Sequence, residues 1–143
     1  MTPTHVLVPL DGSPLADQAL RHALETYDCR VTVLNVITPI GSEMSESGVR
    51  DRGDERVTDA ENRAEALIDA AYEETANHGQ DIETVIETGD PAEVIVSCID
   101  ETDVDHVVMG GHGGDTNGLV SRLLGTVATT VVSEAPVTVT VVR

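Results

Sequence analysis

The chain has 143 residues, of which 26 are acidic and eight are basic, and its formal net charge at pH 7 is −18. With 40% hydrophobic residues it is long enough to form one domain with its own core, so disorder is not expected. The negative charge excludes nucleic acid and anionic membrane surfaces as expected partners, because both present phosphate groups that would be repelled.

The first third of the chain predicts a strand, a helix and a second strand. The apolar run His5–Leu10 predicts a buried strand, which the turn residues Asp11–Ser13 end. Pro14 suits the first turn of a helix with Ser13 as its N-cap, and apolar residues then recur at helical spacing. Val31–Ile37 predicts the second strand.

The middle of the chain predicts a loop, a long helix and a third strand. Thr38–Gly53 is polar and contains three glycines, which predicts a loop. Asp54–Asn77 has apolar residues along one face and acids along the other, which predicts a helix that His78 and Gly79 end. Ile82–Glu87 predicts the third strand.

The last third predicts two further helices and two further strands. Asp90 is a good N-cap for a helix over Ala92–Asp100, and Asp105–Met109 predicts the fourth strand. Val127–Val132 predicts the first turns of a last helix, and Val137–Val142 predicts the fifth strand.

This alternation predicts one doubly wound, Rossmann-like α/β domain over residues 1–143, with a parallel five-stranded sheet and helices on both faces. If the strand order is 3-2-1-4-5, the ends of strands one and four are neighbours where the winding reverses, which is where such sheets bind ligands. Strand one then ends at Asp11–Ser13, and strand four ends at the glycine-rich segment Met109–Gly114.

The start of the last helix is the second part of this predicted site. Free N–H groups and the positive dipole end of a helix attract anions, and Thr126 adds a hydroxyl. Gly110–Gly114 would add further amides, and Asp11 could accept hydrogen bonds from a ribose or a base. Glycine-rich loops often only turn the chain, so the spacing alone leaves phosphate binding and a simple turn equally open.

Several other kinds of site are excluded or disfavoured. The chain has no lysine, which excludes a receiver-type phosphoacceptor role for Asp11, a Walker-type P-loop and a Schiff-base enzyme. The histidines show no metal-ligand spacing, so we expect no metal site. No catalytic residue is predicted, because His112 has no nameable partner and Ser13 is better explained as a helix cap. For Arg122, a phosphate contact and a solvated side chain are equally open.

The surroundings of the protein can also be inferred. An acidic surface without lysine favours a halophilic cytoplasm, where counter-ions screen the repulsion, over an acidic mesophilic protein. We expect neither a signal peptide nor a membrane span, so the expected location is cytoplasmic. Cys29 and Cys98 form no Cys-x-x-Cys motif and are expected to be reduced. The last strand, Val137–Val142, would be an uncapped sheet edge, which predicts a homodimer paired through it.

Over its whole length the chain resembles the universal stress protein family. The resemblance lies in the segments "VLVPLDGS", "VLNVIT", "GDPAEVIV" and "VVMGGHGG…LLGTVATTVV…APVTVTVV". Nucleotide-binding members carry Gly-x-x-Gly, a spacer, and then Gly followed by Ser or Thr, which Gly110, Gly113, Gly125 and Thr126 match. This chain has eleven residues between Gly113 and Gly125, or ten if the match starts from Gly111 and Gly114, against nine in that motif, so the loop must bulge near Gly114–Asn117.

The resemblance implies the 3-2-1-4-5 sheet, a homodimer, and a stress-response sensor or regulator that binds ATP or AMP, with or without Mg²⁺. By the resemblance, base and ribose would lie near Pro9, Asp11 and the Val36 backbone. The nucleotide-packing and phosphate-holding positions would be Met109, Gly110, Gly113, Gly125, Thr126 and Val127. The alternative is the same fold without nucleotide binding, acting through dimer and partner contacts. A weak ATPase activity is the most that enzyme function would amount to, because no general base or carboxylate pair is visible.

Overall fold

The fold is built on a sheet of five parallel strands, and a computed structural model describes residues 2–39, 50–78, 82–111 and 124–143. The strands are β1 (His5–Pro9), β2 (Arg30–Ile37), β3 (Ile82–Thr88), β4 (His106–Gly110) and β5 (Thr138–Val142). Their order across the sheet is β3-β2-β1-β4-β5, and every neighbouring pair is parallel. The predicted strand order is therefore confirmed, with β1 at the centre and β5 at one edge.

Helices cover both faces of the sheet, as predicted. They are α1 (Pro14–Thr26), α2 (Arg50–His78), α3 (Pro91–Glu101) and α4 (Thr126–Glu134). Buried residues of α1 and α2 form one core cluster with β1 and β2, whereas those of α3 and α4 form a second cluster on the opposite face. Within the described residues, no helix is both long enough and apolar enough to cross a membrane.

The start of α2 corrects one prediction. Residues 50–53 form the first turn of α2, although the sequence placed them in a loop that ends at Gly53. A single glycine inside a helix costs about 1 kcal/mol relative to alanine and does not stop the helix. The rest of the predicted loop from residue 40 to residue 49, and Gly79 beyond the helix end, lie outside the described residues.

The central strand shows why the core is divided into two clusters. Val6 and Val8 belong to the cluster beneath α1 and α2, and Leu7 belongs to the cluster beneath α3 and α4. All three side chains are fully buried. Successive side chains of a strand point to opposite faces, so a strand covered on both sides must be apolar throughout.

Capping side chains fix where α1 and α3 begin. The Ser13 hydroxyl accepts a hydrogen bond from the Ala16 N–H at 3.2 Å, and the Asp90 carboxylate accepts one from the Glu93 N–H at 3.1 Å. Each cap is followed by a proline at the first helical position, where a missing N–H costs nothing. Both predicted caps are confirmed, and they place the two helix starts beside the carboxyl ends of β1 and β3.

Candidate functional site

A cavity of about 250 Å³ lies beyond the carboxyl ends of β1, β2 and β4, where the winding of the sheet reverses. Its lining comprises Pro9, Leu10, Asp11, Ser13, Ala16, Leu34, Val36, Pro91, Ile95, Met109, Gly110, Gly125, Thr126, Val127 and Ala128. Eight of the nine residues proposed from the sequence are among them, and the ninth, Gly113, lies outside the described residues. The structure thus brings the eight together, while their part in binding stays a prediction.

The loop after β1 is held in place by the neighbouring strand. The Leu10 N–H donates to the Leu34 carbonyl at 2.8 Å, and the Asn35 side-chain amide donates to the Leu10 carbonyl at 2.7 Å. Gly12 then takes a positive φ of 85°, a conformation that other residues rarely adopt. These contacts fix the loop that carries Asp11 at the edge of the cavity.

Asp11 is the ionisable side chain on the described wall of the cavity. It is exposed, and its Oδ1 accepts a hydrogen bond from the Ser13 N–H at 2.9 Å. Within the described residues this is the hydrogen bond found for the carboxylate, so its second oxygen has capacity to accept from a ligand hydroxyl or amine.

Gly110 serves the packing of the fold as well as the cavity. A Cβ atom at this position would lie 2.9 Å from the Leu15 Cβ, 3.0 Å from the Leu15 carbonyl carbon and 3.1 Å from the Ala16 nitrogen. Two of these neighbours are backbone atoms, which cannot move aside as a flexible side chain would. The glycine therefore allows the first turn of α1 to pack directly against the end of β4.

Gly111 links the end of β5 to the start of α4. Its N–H donates to the Val142 carbonyl at 2.7 Å, and its carbonyl accepts from the Gly125 N–H at 2.6 Å. The Gly125 carbonyl in turn accepts from the Thr129 N–H at 2.9 Å, the first bond of the helix ladder. The N–H of Gly125, a position that the resemblance assigned to phosphate, is therefore already used within the protein.

The remaining amides at the start of α4 belong to its first turn, and Thr126, Val127 and Ala128 all line the cavity. Its N-cap is Gly125, which has no side chain to accept from the first-turn amides, and its first turn contains no acidic residue, unlike the starts of α1 and α3. The first turn of an uncapped helix presents N–H groups and the positive end of the helix dipole. This end of the cavity is accordingly suited to an anion.

The opposite wall of the cavity is apolar. It is formed by Leu34 and Val36 of β2, Met109 of β4, and Pro91 and Ile95 of α3. Sequence reasoning missed the contribution of α3 to the cavity. The available signal was Pro91, which starts this helix three residues after the last residue of β3. A cavity with apolar walls and a few polar groups is the usual form of a small-molecule site.

A second polar cluster lies near the amino ends of the central strands, away from the cavity. The His5 ring nitrogens lie 2.7 Å from an Asp103 carboxylate oxygen and 2.6 Å from the Thr32 hydroxyl. The hydrogen bond with His5 lowers the pKa of the Asp103 carboxyl below its ordinary value. Thr32 is only 4% exposed, so its hydroxyl is not accessible to a substrate, whereas the Asp103 side chain is exposed. In the described part of the chain, no three His, Cys, Asp or Glu side chains are grouped to hold a metal ion.

The sheet order and a cavity at the point of reversal define a Rossmann-like, doubly wound α/β protein. The model of the universal stress protein family matches residues 3–143, and the chain belongs to this family. A universal stress protein from Methanothermobacter thermautotrophicus is 29% identical over 142 residues, covering 96% of this chain and 94% of that relative. The structure of UspA from Lactobacillus plantarum superposes with a TM-score of 0.79 at 22% identity, covering 100% of this chain and 99% of that one.

Three other similar structures contain adenine nucleotides. A universal stress protein in complex with cAMP has a TM-score of 0.69 at 22% identity, covering 100% of this chain and 98% of that one. An Arabidopsis thaliana family member with AMP bound has a TM-score of 0.66 at 22% identity, covering 98% of this chain and 90% of that one. An Archaeoglobus fulgidus member in complex with dAMP has a TM-score of 0.65 at 21% identity, covering 100% of both chains.

Proposed function

We propose that this protein binds an adenine nucleotide, AMP or ATP, in the cavity and acts as a cytoplasmic sensor or regulator in a stress response. The observation that carries the proposal is the juxtaposition, in one cavity, of an apolar wall and the uncapped start of α4. An adenosine phosphate has the matching division between a planar aromatic base, whose faces can pack on apolar side chains, and an anionic end. The family members that contain AMP, dAMP and cAMP support the same class of ligand.

In the proposed arrangement the base lies against Pro9, Val36 and Met109, and the ribose hydroxyls donate to the Asp11 carboxylate. The phosphate is directed to the first-turn amides of α4 and to the Thr126 hydroxyl. Gly113 is proposed to hold phosphate as well, and lies outside the described residues. Mg²⁺ would enter with the phosphates of ATP, since Mg²⁺ usually keeps several waters and shares substrate phosphates.

The test is isothermal titration calorimetry of the purified protein with AMP and with ATP and Mg²⁺ in 2 M KCl. Asp11→Ala should weaken binding at the ribose end, and Gly113→Val should weaken it by a clash with phosphate. Asp100→Ala, an exposed position on α3 that does not line the cavity, is the matched control and should bind normally. If Asp11→Ala and Gly113→Val both bind as the wild type does, the site is misplaced.

A second candidate function is the same fold without nucleotide, acting through its dimer and partner contacts. The eleven-residue spacing between Gly113 and Gly125 favours it, because a longer loop need not fold over phosphate. In either case we propose a homodimer paired through β5, since this strand lies at one edge of the sheet and, unlike β3 at the other edge, contains no charged residue. A folded wild type that binds no adenine nucleotide in 2 M KCl would favour this second function.

A further inference from the structure

The described wall of the cavity has an unusual balance of charge for a site that would hold several phosphates. Asp11 is its ionisable residue, and none of the described lining residues is an arginine or a histidine. Two arginines whose partners are seen lie elsewhere: Arg21 contacts Glu74 at 3.3 Å, and Arg30 pairs with Glu83 at 2.6 Å. Among the residues that the structure describes, the side chains lining the cavity therefore supply a negative charge and no positive one.

What attracts an anion on this wall is the start of α4. A helix start is equivalent to roughly half of one positive charge, contributed by its free N–H groups. Such a group of amides can match a single phosphate, but it does not offset the further charges of a polyphosphate. The formal charge of −18 over the whole chain opposes those further charges as well.

We propose that the cavity selects adenine ligands of low charge, a nucleoside or nucleoside monophosphate, over the diphosphate and triphosphate when no divalent cation is present. The proposal rests on the proposed function and names the ligand class of the same site. Asp11 is its specificity-determining residue, because its carboxylate lies on the wall that the ligand must contact.

The size of the preference follows from the two charges that separate ATP from AMP. At about 6 Å from one carboxylate in water, the two additional negative charges of ATP weaken its binding roughly tenfold relative to that of AMP. Screening should remove most of this penalty in concentrated salt, where the Debye length falls to about 3 Å at 1 M. Mg²⁺ should remove it as well by neutralising the phosphates.

The experiment measures the dissociation constants of adenosine, AMP, ADP and ATP by calorimetry in buffer containing EDTA. It is done in 2 M KCl and in the lowest KCl concentration at which circular dichroism shows the folded protein. Adenosine has no charge, so its affinity reports any effect of salt on the folded site itself. We expect AMP to bind roughly tenfold more tightly than ATP at the lower salt. In 2 M KCl the ratio of the ATP dissociation constant to the AMP dissociation constant should fall towards one. ATP binding at least as tightly as AMP at the lower salt would overturn the proposal.

Asp11→Asn tests the assignment to one residue. The asparagine oxygen can still accept from the Ser13 N–H, so the loop is kept while the charge is removed. At the lower salt, the ratio of the ATP dissociation constant to the AMP dissociation constant should decrease several-fold in this variant. It should stay unchanged in Asp69→Asn, the same substitution at an exposed position of α2. If this ratio of dissociation constants is unchanged in Asp11→Asn, or decreases equally in both variants, the role of Asp11 is overturned.

The failure of the proposed function is a different result from the failure of this proposal. If neither adenosine nor AMP binds the folded protein, the cavity is not an adenine site at all. If adenosine and AMP bind and ATP binds as tightly as AMP, the site is correct and the charge selection is wrong.

Discussion

The packing of the fold requires a residue without a side chain at Gly110, whether or not a ligand is bound. The position lies on the cavity wall, and α1 also packs against it at distances that leave no room for a Cβ atom. The family motif gives this glycine a role beside the nucleotide, whereas the structure gives it a packing role that would be needed without one. The neighbouring Gly111 has looser surroundings, with its nearest side-chain neighbour, Val141 Cγ1, at 3.2 Å from a built Cβ.

Gly110→Ala should lower the free energy of unfolding by roughly 1–3 kcal/mol, the usual cost of overpacking a well-packed site. Gly111→Ala should cost less, because its built Cβ meets a side-chain methyl at 3.2 Å and a carbonyl oxygen at 3.3 Å, rather than atoms at 3.1 Å or closer. Urea denaturation in 2 M KCl measures both. Equal stability of Gly110→Ala and the wild type would contradict the packing role.

His106 at the start of β4 makes the stability depend on pH. It is buried, and its Nε2 lies 2.8 Å from the Thr140 hydroxyl and 3.4 Å from the Tyr27 hydroxyl. Burial lowers the pKa of His106 below its ordinary value of 6.5, against the opposing charge of Asp105. The folded protein therefore favours the neutral ring, and the unfolded chain takes up a proton first as the pH falls.

The contribution of His106 is thus fully present above about pH 6.5 and is lost as the pH falls through its folded pKa. The free energy of unfolding of the wild type should decrease from pH 7.5 to 5.5, and in His106→Gln it should decrease less. Urea denaturation at fixed KCl concentration across this range measures the difference. The same decrease in both proteins would show that His106 does not contribute.

Among the elements, β5 is one of the two edge strands of the described sheet, the other being β3. The Gly111 N–H donates to the Val142 carbonyl, so Val142 directs its backbone groups towards β4. Because this direction alternates along a strand, Thr140 also faces β4, whereas Val139 and Val141 direct theirs to the open edge. A second copy of β5, antiparallel across a two-fold axis, would satisfy these groups and close the assembly at two chains.

Val139→Pro should therefore convert the proposed dimer to a monomer, because it removes a donor that faces the open edge. Val139→Ala keeps the N–H and is the matched control, which should remain dimeric. Light scattering in 2 M KCl should give a mass near twice 15.1 kDa for the wild type. A wild type that is monomeric at tens of micromolar would rule out this interface.

The elements themselves were largely predictable from the sequence. Period and caps placed β1, α1 and α3 within about two residues of their observed ends, because Ser13 and Asp90 mark helix starts by a local hydrogen bond. The beginning of α2 was not predictable, because glycine is common in loops, whereas this helix accommodates Gly53 in its first turn. The sheet order was supplied by the resemblance, because pairing between distant strands leaves no local mark.

The candidate site was predictable only in part for the same reason. Pro9, Asp11 and Met109 follow from the positions of strand ends, but Ile95 lines the cavity through the packing of α3 across the sheet. The engagement of the Gly125 N–H by Gly111 could not be foreseen either. A glycine followed by a hydroxyl residue at a helix start suggests free amides, and only the backbone path shows which of them are already used.

For the whole molecule, the excess of 26 carboxyl groups over eight guanidinium groups sets the response to salt. The Debye length is about 30 Å at 0.01 M and about 3 Å at 1 M, so dilute buffer leaves the repulsion between these carboxylates unscreened. The melting temperature should therefore rise steeply with KCl. Sucrose at equal osmolality is the control, because it lacks ions and acts through exclusion from the surface. A melting temperature that is the same in dilute buffer and in 2 M KCl would contradict a halophilic adaptation.

The backbone of Gly111 has a consequence for how the two proposed contacts would communicate. It joins the last carbonyl of β5 to the amide of Gly125, which precedes the first turn of α4, through two hydrogen bonds. A nucleotide bound at this turn and a second copy bound at β5 would act on the two backbone hydrogen-bonding groups of one residue, which lie in adjacent peptide planes that meet at its Cα. Thermodynamic linkage then makes any coupling reciprocal, so whatever factor the nucleotide adds to dimer affinity, the dimer adds to nucleotide affinity.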